Sequence, residues 1–320
     1  MNRNWMNIAI SSDGSKRAAA GNADYLYESS DYGASWTQVT STVANWKGVA
    51  MSSDGTVQAA WSSGPSSADK GLFTSADTGA TWTHREMPAW LHVSSYTGTI
   101  MHCAISPDGT HMTALASGPP AGPMFISSDA GVTWTTSGPS KYWRKSAMSA
   151  DGSIQTATTG HLGARSDLVG TMYRSSDSGA TWTEVAGMTA HWGGETSMGT
   201  GGVAMSSDGV KQVAATHEDN LWYSSDSGVT WTEVTGLGLD NGYVNGATGY
   251  TPQWSDVSTS SDGSRMVASG YLRNTWFSTD SGTPPLCSHP SPLPPLCSRP
   301  RQLPTSAMTP RLRPPPVPRP

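Results

Sequence analysis

Two carboxylates held about 5–10 Å apart can hydrolyse a glycosidic bond, one giving a proton and the other acting as base or nucleophile. This 320-residue chain has 24 acidic side chains from which such a pair would come. Half of them recur in two patterns. Ser-x-Asp-x-Gly-x-(Ser/Thr)-Trp contains Asp31 and Trp36, Asp77 and Trp82, Asp129 and Trp134, Asp177 and Trp182, and Asp226 and Trp231, and a copy at Asp280 breaks off before its Trp. Ser-x-Asp-Gly contains Asp13, Asp54, Asp108, Asp151, Asp208 and Asp262. A dozen equivalent carboxylates do not make a catalytic mechanism. An Asp ahead of a Gly instead accepts bonds from nearby backbone N–H groups while the Gly takes positive φ, so these twelve read as turn formers, with the Trp packing back as an anchor. Glu195, Asp240, Asp256 and the run His217-Glu218-Asp219 remain as candidate site acids.

Other chemistries lack the required spacing. The eight histidines form no His-Glu-x-x-His, the glycines are turn glycines rather than a phosphate cradle, and no Gly-x-Ser-x-Gly elbow occurs. Neither a metal nor a cofactor is expected. Aromatic residues offer more. Trp5, Trp46, Trp143 and Trp254 each stand eight residues before a Ser-x-Asp-Gly aspartate. In register, they either form a half-ring that stacks on a sugar or anchors a peptide, or wedge between repeats; packing is the favoured reading. His102, Lys145 and Asp256 share a side-chain direction two residues further on and are placed to line a central channel beside Asn7, Gly48 and Gly202. Arg144, Trp192, Glu195 and Arg273 complete the ligand-face candidates.

The elements that must position these residues follow from the repeat. Asp-Gly between apolar runs marks a hairpin, and these turns interleave with the Asp-Trp copies, which recur at steps of roughly 46–54 residues. Each unit reads as strand, Asp-Gly turn, strand, variable loop, strand, Asp-Trp turn, strand, which is the size of a propeller blade. Alanine stands six after each Ser-x-Asp-Gly aspartate and four before all but the last, where Ser258 stands, and the two positions are expected to face each other across a three-residue loop. Composition agrees: 35 Gly and 14 Trp with only 13% charged residues suit strands and tight turns over helices. The expected fold is an all-β propeller of six four-stranded antiparallel blades, or seven, with the last blade incomplete. Alternating strand direction puts all repeated aspartates on one face and the variable connections on the other, so any ligand is expected on the face without them.

The Asp-Gly-Trp copies resemble the Asp-box, or BNR, repeats of sialidases, sortilin-type propellers, xyloglucan-active glycosidases and the photosystem II assembly factor propellers. The resemblance spans residues 1–282 and implies a propeller; the superfamily contains both enzymes and binding proteins. A sialidase carries an arginine triad, a Tyr nucleophile and a Phe/Tyr-Arg-Ile-Pro motif. This chain lacks that motif, and none of Arg85, Arg144, Arg165 and Arg273 is marked as belonging to a set. The leading reading is therefore a non-catalytic binding scaffold for a protein or glycan, with an assembly role as one version. A sialidase-like glycoside hydrolase is the alternative.

Residues 283–320 form a separate segment holding 14 of the 22 prolines, five arginines and no acid. It is expected to be disordered, because Pro cannot donate to a sheet ladder. It begins inside the sixth Asp-Trp copy, as a shifted frame or alternative splice would produce. The 14 remaining basic residues stand against all 24 acids, so the body carries −10 and nucleic acid is not expected as a partner. Three cysteines make no disulfide or zinc framework. No signal-peptide core or long apolar run is present, so membrane insertion is not expected. The chain is expected to be a monomer, cytoplasmic by default, and secreted or organellar if its N-terminus is incomplete.

Overall fold

The computed structural model describes residues 3–39, 43–63, 70–86, 99–118, 121–160, 170–190, 202–216, 221–234, 253–271 and 275–279. Every regular element among them is a strand, and no helix is long and apolar enough to cross a membrane. The strands form six antiparallel blades. Blade 1 comprises β1 (Trp5–Ile10), β2 (Arg17–Asp24), β3 (Leu26–Ser29) and β4 (Thr37–Gln38). Blade 2 comprises β5 (Ala44–Met51), β6 (Gln58–Ser63), β7 (Lys70–Ser75) and β8 (Thr83–Arg85). Blade 3 comprises β9 (Thr99–Ile105), β10 (Met112–Ser117), β11 (Gly122–Ser127) and β12 (Thr135–Lys141). Blade 4 comprises β13 (Trp143–Met148), β14 (Gln155–Thr159), β15 (Gly170–Ser175) and β16 (Thr183–Ala190). Blade 5 comprises β17 (Gly202–Met205), β18 (Gln212–Ala215), β19 (Leu221–Ser224) and β20 (Thr232–Val234). The sixth has three strands, β21 (Gln253–Thr259), β22 (Met266–Tyr271) and β23 (Trp276–Ser278). Blades 1 and 2 also share a sheet, because the end of β2 pairs with the start of β5 at Asn22↔Asn45 and Asp24↔Ala44.

The first hairpin of each blade has a register one residue away from the sequence expectation. Ala9 pairs with Ala18 and Ala50 with Ala59, not with Ala19 and Ala60. The loop has four residues, not three: Ser11 N–H donates to the Lys16 carbonyl, and Ser12 to Ser15 turn the chain. A one-residue slip sends the two alanines to opposite faces. Those six after the aspartate, such as Ala60 and Ala114, face the preceding blade; those four before, such as Ala9 and Ala50, face the following one.

Small residues at both positions let the blades press together, and five apolar cores result, each between consecutive blades. Ala18, Ala20 and Leu26 meet Trp46, Val49 and Ala60; Trp61 and Leu72 meet Ile100, Cys103 and Phe125. Leu115 and Met124 meet Trp143 and Tyr173. Met172, Val185 and Met188 meet Val203 and Ala214, and Val213 and Leu221 meet Trp254, Val257 and Trp276. A belt of backbone bonds joins neighbouring Asp-Gly turns: Ser12 N–H to Ser53 O (2.8 Å), Ser53 to Pro107 (2.8 Å), Ala150 to Ser207 (2.7 Å) and Ser207 to Ser261 (2.7 Å). Pro107 has no N–H to give Ala150, so the belt falls into two runs of three blades.

Candidate functional site

The Asp-Trp turns are closed on themselves. Asp177 accepts from Thr181 N–H (2.8 Å) and the Thr181 hydroxyl (2.5 Å), Ser175 Oγ donates to Asp177 (2.8 Å), and Gly179 N–H donates to Ser175 Oγ (2.9 Å). Trp182 Nε1–H then bonds the Gly179 carbonyl at 2.9 Å. Ser178 and Gly179 take φ of 57° and 83°, and the other four complete copies repeat the pattern at Tyr32/Gly33, Thr78/Gly79, Ala130/Gly131 and Ser227/Gly228. In the Asp-Gly turns Asp54 accepts from the Ser52 hydroxyl (2.6 Å) and Thr56 N–H (2.9 Å). Hydroxyl and N–H donors hold Asp54, Asp129 and Asp151 down at about 2. These are spent acceptors, ionised and saturated, with no proton to give. Asp280 lies outside the described residues.

At the opposite end of the inner strands, a β-bulge recurs. The register shifts at Trp5/Asn7 in β1, Trp46/Gly48 in β5, Ile100/His102 in β9, Trp143/Lys145 in β13 and Trp254/Asp256 in β21. One residue is left over each time: Met6, Lys47, Met101, Arg144 and Ser255. A bulge re-aims the side chains around it. Here it brings one turn of every described inner strand, except β17, to the end of the blade facing away from the aspartates.

The sequence candidates divide sharply at this rim. Trp46 (1% exposed), Trp143 (0%) and Trp254 (3%) are buried between blades, where Trp46 packs edge-on to Phe73 and Trp143 to Tyr173. This corrects their place among the ligand-face residues: burying an indole against the preceding blade stabilises the blade interface far more than a solvated rim would. Arg144 is buried too. Trp5 alone of the four is open, at 48%. His102 lies edge-on to Trp61 (5.7 Å between centroids), with Nδ1 3.2 Å from Ser146 Oγ. Burial first, and Lys145 second, push its pKa well below the ordinary value, so it is a neutral ring bridging blades 3 and 4. Asp256 is exposed and accepts from Val257 N–H at 3.1 Å. A Cβ at Gly202 would come within 2.9 Å of its Oδ1, so glycine there is what lets β17 and β21 approach. Trp192, Glu195, Asp240, Arg273 and residues 217–219 lie outside the described residues.

Two groups relevant to hydrolysis were not singled out by sequence. Tyr173 donates to Glu184 at 2.9 Å, the pairing a tyrosine nucleophile would need. Burial, however, raises the Tyr173 pKa despite Lys141 nearby, opposite to activation, and its ring is packed under Trp143. Glu28 on β3 is pushed up to about 7, chiefly by burial, with Gln58 and Lys16 opposing and Asp77 adding. It lies under the Asp-Trp turn of blade 2, where a Cβ at Gly79 would collide with it. Its sequence signal was weak, because the matching positions hold Thr74, Ile126, Arg174 and Tyr223. Among the described residues no group of three or more His, Cys, Asp or Glu side chains could hold a metal ion.

No family model matches the chain, and no curated protein does. Solved structures match over most of its length. YCF48 from Cyanidioschyzon merolae superposes with a TM-score of 0.58 at 12% identity over 88% of this chain and 83% of its own; YCF48 bound to D1 peptide gives 0.55 at 12% over 88% and 81%. An ancestral GH74 enzyme gives 0.56 at 16% identity over 83% of this chain but 34% of its own, so this chain spans about a third of that enzyme. The Swd1 β-propeller domain from Myceliophteria thermophila gives 0.54 at 11% over 86% and 84%. At these identities the likeness establishes the propeller fold and nothing finer.

Proposed function

We propose that this chain is a non-catalytic Asp-box propeller of the sialidase-like superfamily, residues 1–282, that binds a protein or glycan on the face away from its repeated aspartates. The observation that carries the reading is the charge on the inner strands. They bear the partly exposed Lys47 and Lys145 at the rim, with Arg144 buried behind them, against a single inner-strand carboxylate, Asp256. Among the described inner-strand residues Asp256 has no second carboxylate with which to hydrolyse a glycoside, whereas a peptide carrying carboxylates meets two lysines there on a body of opposite net charge. A YCF48 structure holds a D1 peptide, and this supports an assembly-type, peptide-binding version over the glycan one. Peptide and glycan arrays probed with the whole chain test the proposal. We expect retention on acidic peptides, reduced at least tenfold by Lys47→Glu with Lys145→Glu. Turnover of aryl glycosides that is abolished by Asp256→Asn would overturn it in favour of a hydrolase.

A further inference from the structure

Five blades have their entry face covered by the blade before; blade 1 does not. The positions that are sealed elsewhere are open in it. Ile8 is 51% exposed, where Val49, Cys103, Val203 and Val257 are at most 8%. Trp5 is 48% exposed against 0–3% for Trp46, Ile100, Trp143 and Trp254, and Ile10 is 50% exposed. Trp36 is 39% exposed, where Trp134 is 8% and the other Asp-box indoles join the cores between blades. Tyr27 stands under Trp5 at 5.5 Å, edge-on. The result is one apolar, aromatic-rich wall with a blade's shape and no blade on it.

Blade 6 is a poor match for that wall. Where the exit faces of earlier blades carry Ala9, Ala20 and Leu26, or Ala204, Ala215 and Leu221, it carries exposed Ser258, Ser269 and Thr275. That polar face is how a terminal repeat is finished. It leaves the blade 1 wall without an apolar partner among the described residues.

We infer that the proline-rich segment after β23 docks on the uncovered face of blade 1. Four observations select this occupant. The described chain stops at Thr279, just after the outermost strand of the last blade, and 41 residues follow. At about 3 Å per residue in an extended polyproline form these span more than enough to cross one blade's width. The segment opens with Pro284-Pro285-Leu286 and Pro292-Leu293-Pro294-Pro295-Leu296, an extended, apolar, pre-stiffened ligand of the kind aromatic-lined grooves hold. Its five arginines and lack of acid oppose a body of −10. Finally, four half-exposed side chains offer a few hundred Å² of apolar surface, the size of a peptide patch and about half of the ~800 Å² each partner gives to a standard dimer. The segment takes the place of a covering blade by side-chain burial, without strand pairing.

Two measurements on the full chain test this. Ile8→Cys places a thiol on the wall, Cys287 and Cys297 lie in the segment, and Cys103 is buried. With a short bismaleimide at micromolar protein, we expect links from residue 8 to Cys287 or Cys297 within one molecule, formed at least tenfold faster than from Val132→Cys on the blade 3 Asp-Trp turn. Equal rates would overturn the proposal, as would links only between residue 8 of two molecules, which would make the occupant a second copy. Ile8→Asp, at a position already open, should release the segment and raise trypsin cleavage after Arg301 about tenfold. An unchanged cleavage rate would overturn it as well.

Discussion

Glu28→Gln should make the protein more stable at pH 8 and leave it nearly unchanged at pH 4.5. Gln58 is fully buried and its amide donates to the Gly55 carbonyl at 3.2 Å, but its Oε1 has no donor. The equivalent glutamines are served across the blade interface, Gln155 by the Thr113 hydroxyl (2.5 Å) and Gln212 by Thr156 (2.7 Å). Ala18 occupies that position in blade 1 and pairs with Glu28, whose Oε1 also lacks a partner. A protonated carboxyl resolves both vacancies by donating to Gln58. Since folding raises the Glu28 pKa from 4.5 to about 7, the stabilising term is complete below pH 4.5 and is lost as pH rises to 7. The full shift corresponds to roughly 3.4 kcal/mol, which partial solvation reduces to about 2 kcal/mol. Urea unfolding of both proteins from pH 4.5 to 8 measures the difference. A Gln variant whose advantage is the same at every pH would refute the reasoning, since a neutral side chain can relieve only the ionised form.

Other outcomes follow from the same geometry. Trp143→Ala should lower stability by about 3–5 kcal/mol in chemical denaturation, while Trp5→Ala should lower it by less than about 1 kcal/mol, because only the first empties a sealed interface. Asp177→Ala, which removes both bonds to Thr181, should cost about 1–2 kcal/mol and leave ligand binding at the opposite face untouched. Asp54, Asp129 and Asp151, held at about 2 by their hydroxyl and N–H donors, contribute stability that is complete above their ordinary 3.8 and lost as pH falls toward 2. Thermal midpoints should therefore drop steeply between pH 4 and 2. Burial raises the Cys103 thiol to about 12, so thiol reagents should reach it only on unfolding.

The blades were legible because their turns are chemically rigid. An Asp that must accept and a Gly that must take positive φ fix hairpin positions from four residues, as at Ser11 to Gly14. The count of loop residues was not legible, since Ser12 and Ser15 are as acceptable inside the loop as at its ends, and with it went the pairing of Ala9. The candidate site was harder to read. Trp46 and Trp5 occupy the same position in their units, yet one is sealed and the other open, because exposure there depends on whether another blade stands in front. Glu28 escaped notice for a related reason: its environment is built by Gln58 and Gly79 of the next blade, far along the chain.

The broken belt has a mechanical meaning. Blades 1–3 and 4–6 are each tied by two backbone bonds between turns, while the join at Pro107 and Ala150 has no such bond and is held by the Leu115, Met124, Trp143 and Tyr173 core, the His102–Ser146 bridge, Thr113 to Gln155 and Ser137 to the Gly179 carbonyl. A chain of units coupled only to their neighbours yields at its weakest link. Two runs of three blades thus meet at a seam without the turn-to-turn backbone bond, so among the described joins this is the one whose coupling is most open to side-chain substitution.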